Sequence, residues 1–362
     1  MNRLGAIAKF IADNESVSNN EIAEKLHLSM PTVLQYTRVL KERGVIAETG
    51  KYDSTGGRKA TAFSVNGGIA YAVGVEVKNR SLFFALVDMS CKLLATAQYE
   101  EEFADVPGYF RKIGQKTAEF LDRNEIPASK VAGVGLAVPG IVDREKKVLL
   151  RSHALGVRQM SFSELERWLN FPFQVENDAN CAAFAQLRGT KKDAVYLSLN
   201  DTVGGAIFLN GNLYRGDGFK SGEFGHMILE PGGKVCYCGK NGCMDAYCSA
   251  KILKSAGGGS LNSFFEALNR SDAQAQVVWQ NYMHYLSLAA ANLRMAFDCT
   301  LVLGGEVGGY LKEYLLPLSE EVKKFNNFDF GTDYLKVGNY KSEAPAFGAT
   351  LCFVDRFFEK LI

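Results

Sequence analysis

The polar and apolar positions follow two regimes along the chain. Up to about residue 66 they repeat with helical spacing in short blocks. Leu4, Ile7, Ala8 and Ile11 share one face, and Ile22, Ala23 and Leu26 share another. Ser18 or Asn19 is suited to cap the second block, after which His27, Leu28 and Ser29 form a brief turn. Pro31 opens a third helix where its missing N–H costs nothing, with Ser29 or Met30 just before it. Gly44 ends that helix after Arg43. Two short helices joined by a tight turn make a helix-turn-helix. Residues 45–48 and 62–65 have strand character and flank a polar, glycine-containing turn over 50–59, the pattern of a wing.

From Ile69 onward, apolar strands alternate with helices, which predicts an α/β fold. Tyr71–Val77 and residues 82–87 read as a hairpin and residues 92–97 as a third strand. Residues 108–123 read as a helix, and Val131–Val138 as a buried strand running into Pro139-Gly140. At 362 residues the chain exceeds one comfortable core. The pattern divides it into 1–66, a winged helix-turn-helix, followed by α/β lobes over 67–180 and 181–362.

Charge adds little globally: 41 Lys+Arg against 40 Asp+Glu leave +1, which points to neither a nucleic-acid nor a membrane partner. Locally it does more. Residues 28–59 hold six Lys/Arg and three Asp/Glu, so the positive excess sits on the third helix and the wing, where DNA would be touched. Docking geometry makes Ser29, Thr32, Gln35 and Tyr36 base or phosphate contacts and Arg38 a phosphate contact. Arg58 and Lys59 reach phosphate or the minor groove from the wing. A small helical protein-interaction module is the alternative for this segment. The first ten residues lack the apolar core and cleavage site of a signal peptide, and no run approaches the roughly 18 apolar residues of a membrane span. A cytoplasmic location is expected, and there the clustered Cys236, Cys238 and Cys243 suggest metal before disulfide.

Three further motifs occur in order: Glu176-Asn177-Asp178-Ala179-Asn180, Gly222-Glu223-Phe224-Gly225-His226, and Cys236-x-Cys238-Gly239-x-x-Gly242-Cys243. With them the chain resembles the ROK family (repressors, open reading frames and kinases). Its first segment, with 28–33 and Gly56-Gly57-Arg58, resembles that of the family's repressors of N-acetylglucosamine and xylose operons. The resemblance implies an actin-like ATPase/sugar kinase fold of two α/β lobes. It also implies a sugar site at Asn177, Asp178, Glu223 and His226, with Asp178 in the place of the kinases' general base. Asp245 stands where the family has glutamate and, one methylene shorter, is still expected to reach the sugar. Read from the residues alone, Asn177-Asp178 also suits a capped helix start.

His226, Cys236, Cys238 and Cys243 form a Cys₃His set that fits a closed, structural zinc site, with a group of reduced buried thiols as the alternative. The resemblance stops short of catalysis. Where the kinases carry Asp-x-Gly-Gly-Thr, this chain has Glu76-Val77-Lys78-Asn79-Arg80, and Asn200-Asp201-Thr202 replaces Gly-Thr-Gly. Side chains then occupy phosphate space, and Asp201 would repel it. The expectation is a non-enzymatic regulator, most simply a repressor, of carbohydrate-metabolism genes that binds operator DNA and a sugar as a homodimer or homotetramer. An active ATP-dependent sugar kinase with a DNA-binding domain is the alternative.

Overall fold

The computed structural model describes residues 2–52 and 60–361. Helix α1 (Arg3–Ala12) buries Leu4, Ile7, Ala8 and Ile11, the face expected from their spacing. Strand β1 (Val17–Ser18) leads into α2 (Asn19–Lys25). There Glu21 N donates to Ser18 Oγ and Ser18 N donates to Glu21 Oε2, a reciprocal cap that fixes the helix start. Helix α3 (Met30–Glu42) buries Val33, Thr37 and Leu40 against the first two helices. Strands β2 (Ile46–Tyr52) and β3 (Ala60–Val65) form the wing, and β1 pairs with β3 to make a three-stranded sheet in the order β1-β3-β2. The two-residue β1 was not foreseen, because so short a strand has no periodicity to read.

Next come β4 (Tyr71–Val77), β5 (Ser81–Asp88), β6 (Leu93–Glu100), α4 (Pro107–Arg123) and β7 (Val131–Val138). The strands β8 (Ile141–Asp143), β9 (Val148–Ser152) and β10 (Val157–Ser161) form a small separate antiparallel sheet, which the hydrophobic pattern did not reveal. Strand β11 (Phe173–Asn177) feeds α5 (Asp178–Leu187), and β12 (Ala194–Leu199), β13 (Val203–Leu209) and β14 (Asn212–Tyr214) follow. Helices α6 (Asp245–Cys248), α7 (Ala250–Ala256), α8 (Leu261–Asn269) and α9 (Ala273–Phe297) precede β15 (Thr300–Gly304), α10 (Gly305–Lys323), β16 (Leu335–Val337) and α11 (Ala344–Glu359).

The two large sheets repeat one plan. Their orders, β11-β7-β4-β5-β6 and β16-β15-β12-β13-β14, both consist of an antiparallel three-strand meander joined to two later strands. The β4–β5 and β12–β13 turns are therefore equivalent positions.

The chain condenses into two compact units of interrupted sequence. One comprises Met1–Ala137, Phe162–Val175 and Ala349–Ile362, and the other comprises Val138–Ser161 and Glu176–Gly348. In the first unit the chain ends meet: Lys9 Nζ lies 3.0 Å from Asp355 Oδ1, and Asn2 Nδ2 donates to Leu361 O at 2.6 Å. In the second, α9 turns Trp279, Tyr282, Leu286 and Leu293 into a core shared with β12, β15 and α10. Full burial of a side chain such as Leu286 contributes about 1.5–3 kcal/mol. Among the described residues no helix is long and apolar enough to cross a membrane.

Candidate functional site

A small cleft within the second unit gathers side chains from β8, β9, the β11–α5 junction, β12 and β13. Its floor is set by the β11–α5 junction. Asn177 caps α5: Asn180 N donates to its Oδ1 at 2.8 Å, while its own Nδ2 donates to Gly140 O at 2.9 Å. The capping reading thus holds for Asn177, and the residue lines the cleft as well. Glu176 braces the junction from behind. It accepts from Arg215 Nε and Nη2 at 2.9 and 2.7 Å and from Asn180 Nδ2 at 3.0 Å. Asp178 follows in the first turn of α5, where the helix dipole favours a carboxylate, and it lines the cleft.

Glu223 faces the same space, and no hydrogen bond to its carboxylate is found among the described residues. Burial, reinforced by the neighbouring Asp178 charge, pushes its carboxyl up to about 7. His226 is here too, so four of the five expected residues line the cleft, and Ser152, His153 and Tyr237, not anticipated from sequence, join them. The rings of His153, His226 and Tyr237 pack together with centroids 5.5–6.2 Å apart. Only the pairing of the short strands β8–β10 brings His153 here. Tyr237 sits within the cysteine motif, between Cys236 and Cys238.

Asp245 is not among the lining residues. It is buried at the start of α6, accepts a hydrogen bond from Val203 N at 2.6 Å, and is raised by burial to about 6. Val203 does line the cleft, so Asp245 bears on the site through that backbone.

The same histidine belongs to a second cluster. One ligand atom each from His226, Cys236, Cys238 and Cys243 lies within 4.8 Å of the others. Cys238 Sγ is 3.8 Å from Cys243 Sγ, and Cys236 Sγ is 3.9 Å from His226 Nδ1. Four ligands at about 2.0–2.3 Å from one tetrahedral ion stand roughly 3.5–3.8 Å apart, so this donor set fits a metal. Gly242 makes the tight fold possible: its φ is +81°, and a Cβ there would meet Glu230 O at 1.9 Å. Burial raises the Cys236 and Cys243 thiols. At Cys238 burial is outweighed by hydrogen bonds from the Lys240 amide and the neighbouring thiols, and the thiol is lowered. Burial, with His153 and Arg151 nearby, lowers His226 and so favours the neutral imidazole that metals require. With Nδ1 toward the thiols, Nε2 points toward Tyr237 Oη, 3.4 Å away on the cleft side.

At the β12–β13 turn, Asn200 Oδ1 accepts from Glu306 N at 2.7 Å. Asp201 pairs with Lys254 Nζ at 2.8 Å, and Lys254 also meets Glu306 at 2.5 Å. Gly305, with φ of +79°, packs so closely on Asn200 that a Cβ would lie 2.7 Å from its Oδ1. The equivalent β4–β5 turn carries side chains on Lys78, Asn79 and Arg80 and closes through Lys78 N to Ser81 O at 2.9 Å.

On the DNA-binding head, Ser29 caps α3, its hydroxyl 2.8 Å from that of Thr32. Gln35 and Arg38 are exposed and Tyr36 is half-buried. Among the described residues Arg38 pairs with Glu42 at 2.8 Å, on the surface. Leu34, about half exposed, shares this surface. Arg58 and Lys59 lie outside the described residues.

Comparison with known proteins agrees with this geometry. Residues 72–356 match the ROK family and residues 6–47 a winged helix-turn-helix DNA-binding family. A xylose repressor of Bacillus subtilis is 25% identical over 368 residues, covering 98% of this chain and 95% of its own. An N-acetylmannosamine kinase of Escherichia coli is 31% identical over 232 residues, covering 60% of this chain and 78% of its own. Among solved structures, a ROK family transcriptional regulator, a homolog of the E. coli MLC protein, superposes with a TM-score of 0.75 at 20% identity. It covers 98% of this chain and 97% of its own. A ROK hexokinase from Thermus thermophilus reaches 0.62 at 24% identity over 78% and 97%. The chain therefore belongs to the ROK family, with a winged helix-turn-helix ahead of a sugar-kinase-like α/β body.

Proposed function

We propose that this chain is a sugar-responsive transcriptional repressor of carbohydrate-metabolism genes, acting in the cytoplasm as a homodimer or homotetramer. A carbohydrate occupies the cleft, its hydroxyls on Asn177, Asp178, Glu223 and His226, and Asp245 supports the wall through Val203. The observation that carries this reading is Glu223: a half-buried carboxylate facing the cleft without a hydrogen bond among the described residues is costly, and a ring of hydroxyls is the chemistry that would relieve it. Zinc is the metal that best suits one imidazole and three thiolates. It leaves no open coordination position, so its chemistry here is to order the loop and hold His226. With Nδ1 committed to the metal, His226 Nε2 carries the proton and donates toward a ligand oxygen.

In the head, Gln35 reads a base edge while Ser29, Thr32, Tyr36 and Arg38 position α3, with Arg58 and Lys59 contributing from the wing. Full-length similarity to a protein named xylose repressor supports the repressor class. Two copies engage half-sites, and sugar lowers operator affinity. Reciprocity then requires operator DNA to lower sugar affinity by the same factor.

The experiment is a thermal-shift screen of hexoses, pentoses and amino sugars, followed by DNA-binding titrations with an operator selected from random sequence. A stabilising sugar that releases DNA is expected. A sugar whose affinity is the same with and without operator would sink the coupling. The kinase relative and the retention of Asp178 favour a second reading, an active sugar kinase. Asp201 and the side chains on Lys78, Asn79 and Arg80 oppose it, and a coupled assay with ATP decides. Turnover above background with any sugar overturns the non-enzymatic reading.

A further inference from the structure

The rim of the cleft carries charge that the fold does not use. Residues 141–161 contain five Lys/Arg and two Asp/Glu within a chain of net charge +1. Within this segment, Arg158 on β10 is the cross-strand partner of Arg151 on β9, and Arg151 in turn faces Ile141 on β8. Directly opposed residues of antiparallel strands project from one face with Cβ atoms about 5 Å apart, so the three form a row. Ile141 and Arg151 line the cleft, which leaves Arg158 as the outer end of the row at the rim.

The other basic residues of this segment are committed elsewhere. Arg144 lies near Glu176, itself clasped by Arg215. Lys146 lies 3.7 Å from Asp143, and Lys147 also has a partner. Arg151 and Arg158 are exposed, and among the described residues neither has an ion pair or hydrogen bond. Facing cations weaken a hairpin, so the pair is a cost to the fold with no structural return.

The cleft lining therefore carries both signs, the carboxylates of Asp178 and Glu223 as one side of the balance and the guanidinium of Arg151, with Arg158 next to it in the row, as the other. A neutral sugar satisfies only the first side. Guanidinium forks match the paired oxygens of phosphate and carboxylate. Resting on the reading of the cleft as a carbohydrate site, we infer that the effector is an anionic carbohydrate, its ring against Asp178 and Glu223 and its phosphate or carboxylate group held by Arg151 and Arg158.

The test is calorimetry on the full-length protein with matched probes: glucose, N-acetylglucosamine and xylose, their terminal phosphates, glucuronate, and inorganic phosphate alone. At least one charged sugar should bind about tenfold or more tightly than its neutral parent, and which one binds separates phosphate from carboxylate. In the R151Q/R158Q double variant the ratio of charged to neutral affinity should fall toward one. Because that ratio is taken on a single protein, a general loss of fold cannot mimic the effect. Raising salt from 50 to 500 mM should also shrink it. Neutral sugars binding as well as charged ones, or a ratio unchanged in the variant, overturns the inference and leaves the carbohydrate reading standing. Inorganic phosphate binding as tightly as a sugar phosphate also overturns it. Failure of every sugar to bind removes both.

Discussion

Two turns of the second unit, a short way apart in sequence, have met their polar groups in opposite ways. Around Asn200 and Asp201 every charge is answered from within the protein: Lys254 sits between Asp201 and Glu306, and Asn200 is bonded to its neighbours. Around Glu223 the opposite holds, because a half-buried carboxylate faces the cleft beside a second carboxylate. A region that satisfies itself has no energetic need of a ligand, whereas one that does not is poised for it. On the proposed reading, the Asn200–Asp201 turn is held from within the protein and the Glu223 side is the one left to a ligand.

The most disruptive way to probe the Glu223 side is to remove a ligand of the proposed zinc. Cys243→Ser should release bound zinc and destabilise the protein by roughly 3 kcal/mol or more, read by elemental analysis and thermal denaturation. Protein purified without chelator that contains no zinc would refute the assignment of the ion.

Next in size, Asp178→Ala or Glu223→Ala should weaken sugar binding about a hundredfold or more while the melting temperature of the free protein changes little. A variant that binds sugar normally would break the contrast at its centre. Smaller still is the effect of pH. Burial and Asp178 hold Glu223 up at about 7, so the stability contribution of its protonated form is complete below the ordinary value of 4.5 and is lost as pH rises through about 7. A sugar hydroxyl donating to the ionised carboxylate favours proton release. Affinity should therefore climb roughly tenfold between pH 6 and 8 and then level, as measured by calorimetry in buffers of different ionisation enthalpy. A flat profile would mean that Glu223 does not accept from the ligand.

The smallest change is expected on the Asn200–Asp201 side. Lys254→Met removes a partly exposed ion-pair hub, should cost about 1 kcal/mol or less, and should leave sugar affinity within about twofold. A large loss of sugar binding in this variant would show that the two turns are not separable.

Legibility from sequence followed the range of the interactions involved. The helices of the head, the first meander and the Cys₃His set are encoded by local spacing, and the structure places them where the pattern puts them. The capping role of Asn177 was also visible, since Asn at that position suits a helix start. Strands β8–β10 were not, because segments of three to five residues owe their pairing to distant partners rather than to periodicity. With them His153, Ser152 and Arg151 went unseen. Asp245 was expected at the sugar because of its place in the motif, but the Val203 amide that holds its carboxylate is set by tertiary packing and leaves no mark in the sequence.

The clasp between the chain ends bears on the order of folding. Asn2 and Leu361 are 359 positions apart, and Lys9 and Asp355 nearly as far, so these bonds close one of the longest loops the chain can form. The helices of the head need only their near neighbours and form early, while their attachment to α11 waits on the slow assembly of everything between. The exposed hydrogen bond from Asn2 is a weak hold. Under stress, α1 is therefore expected to come free of α11 before the sheets open, and hydrogen exchange would record that detachment as the earliest event in unfolding.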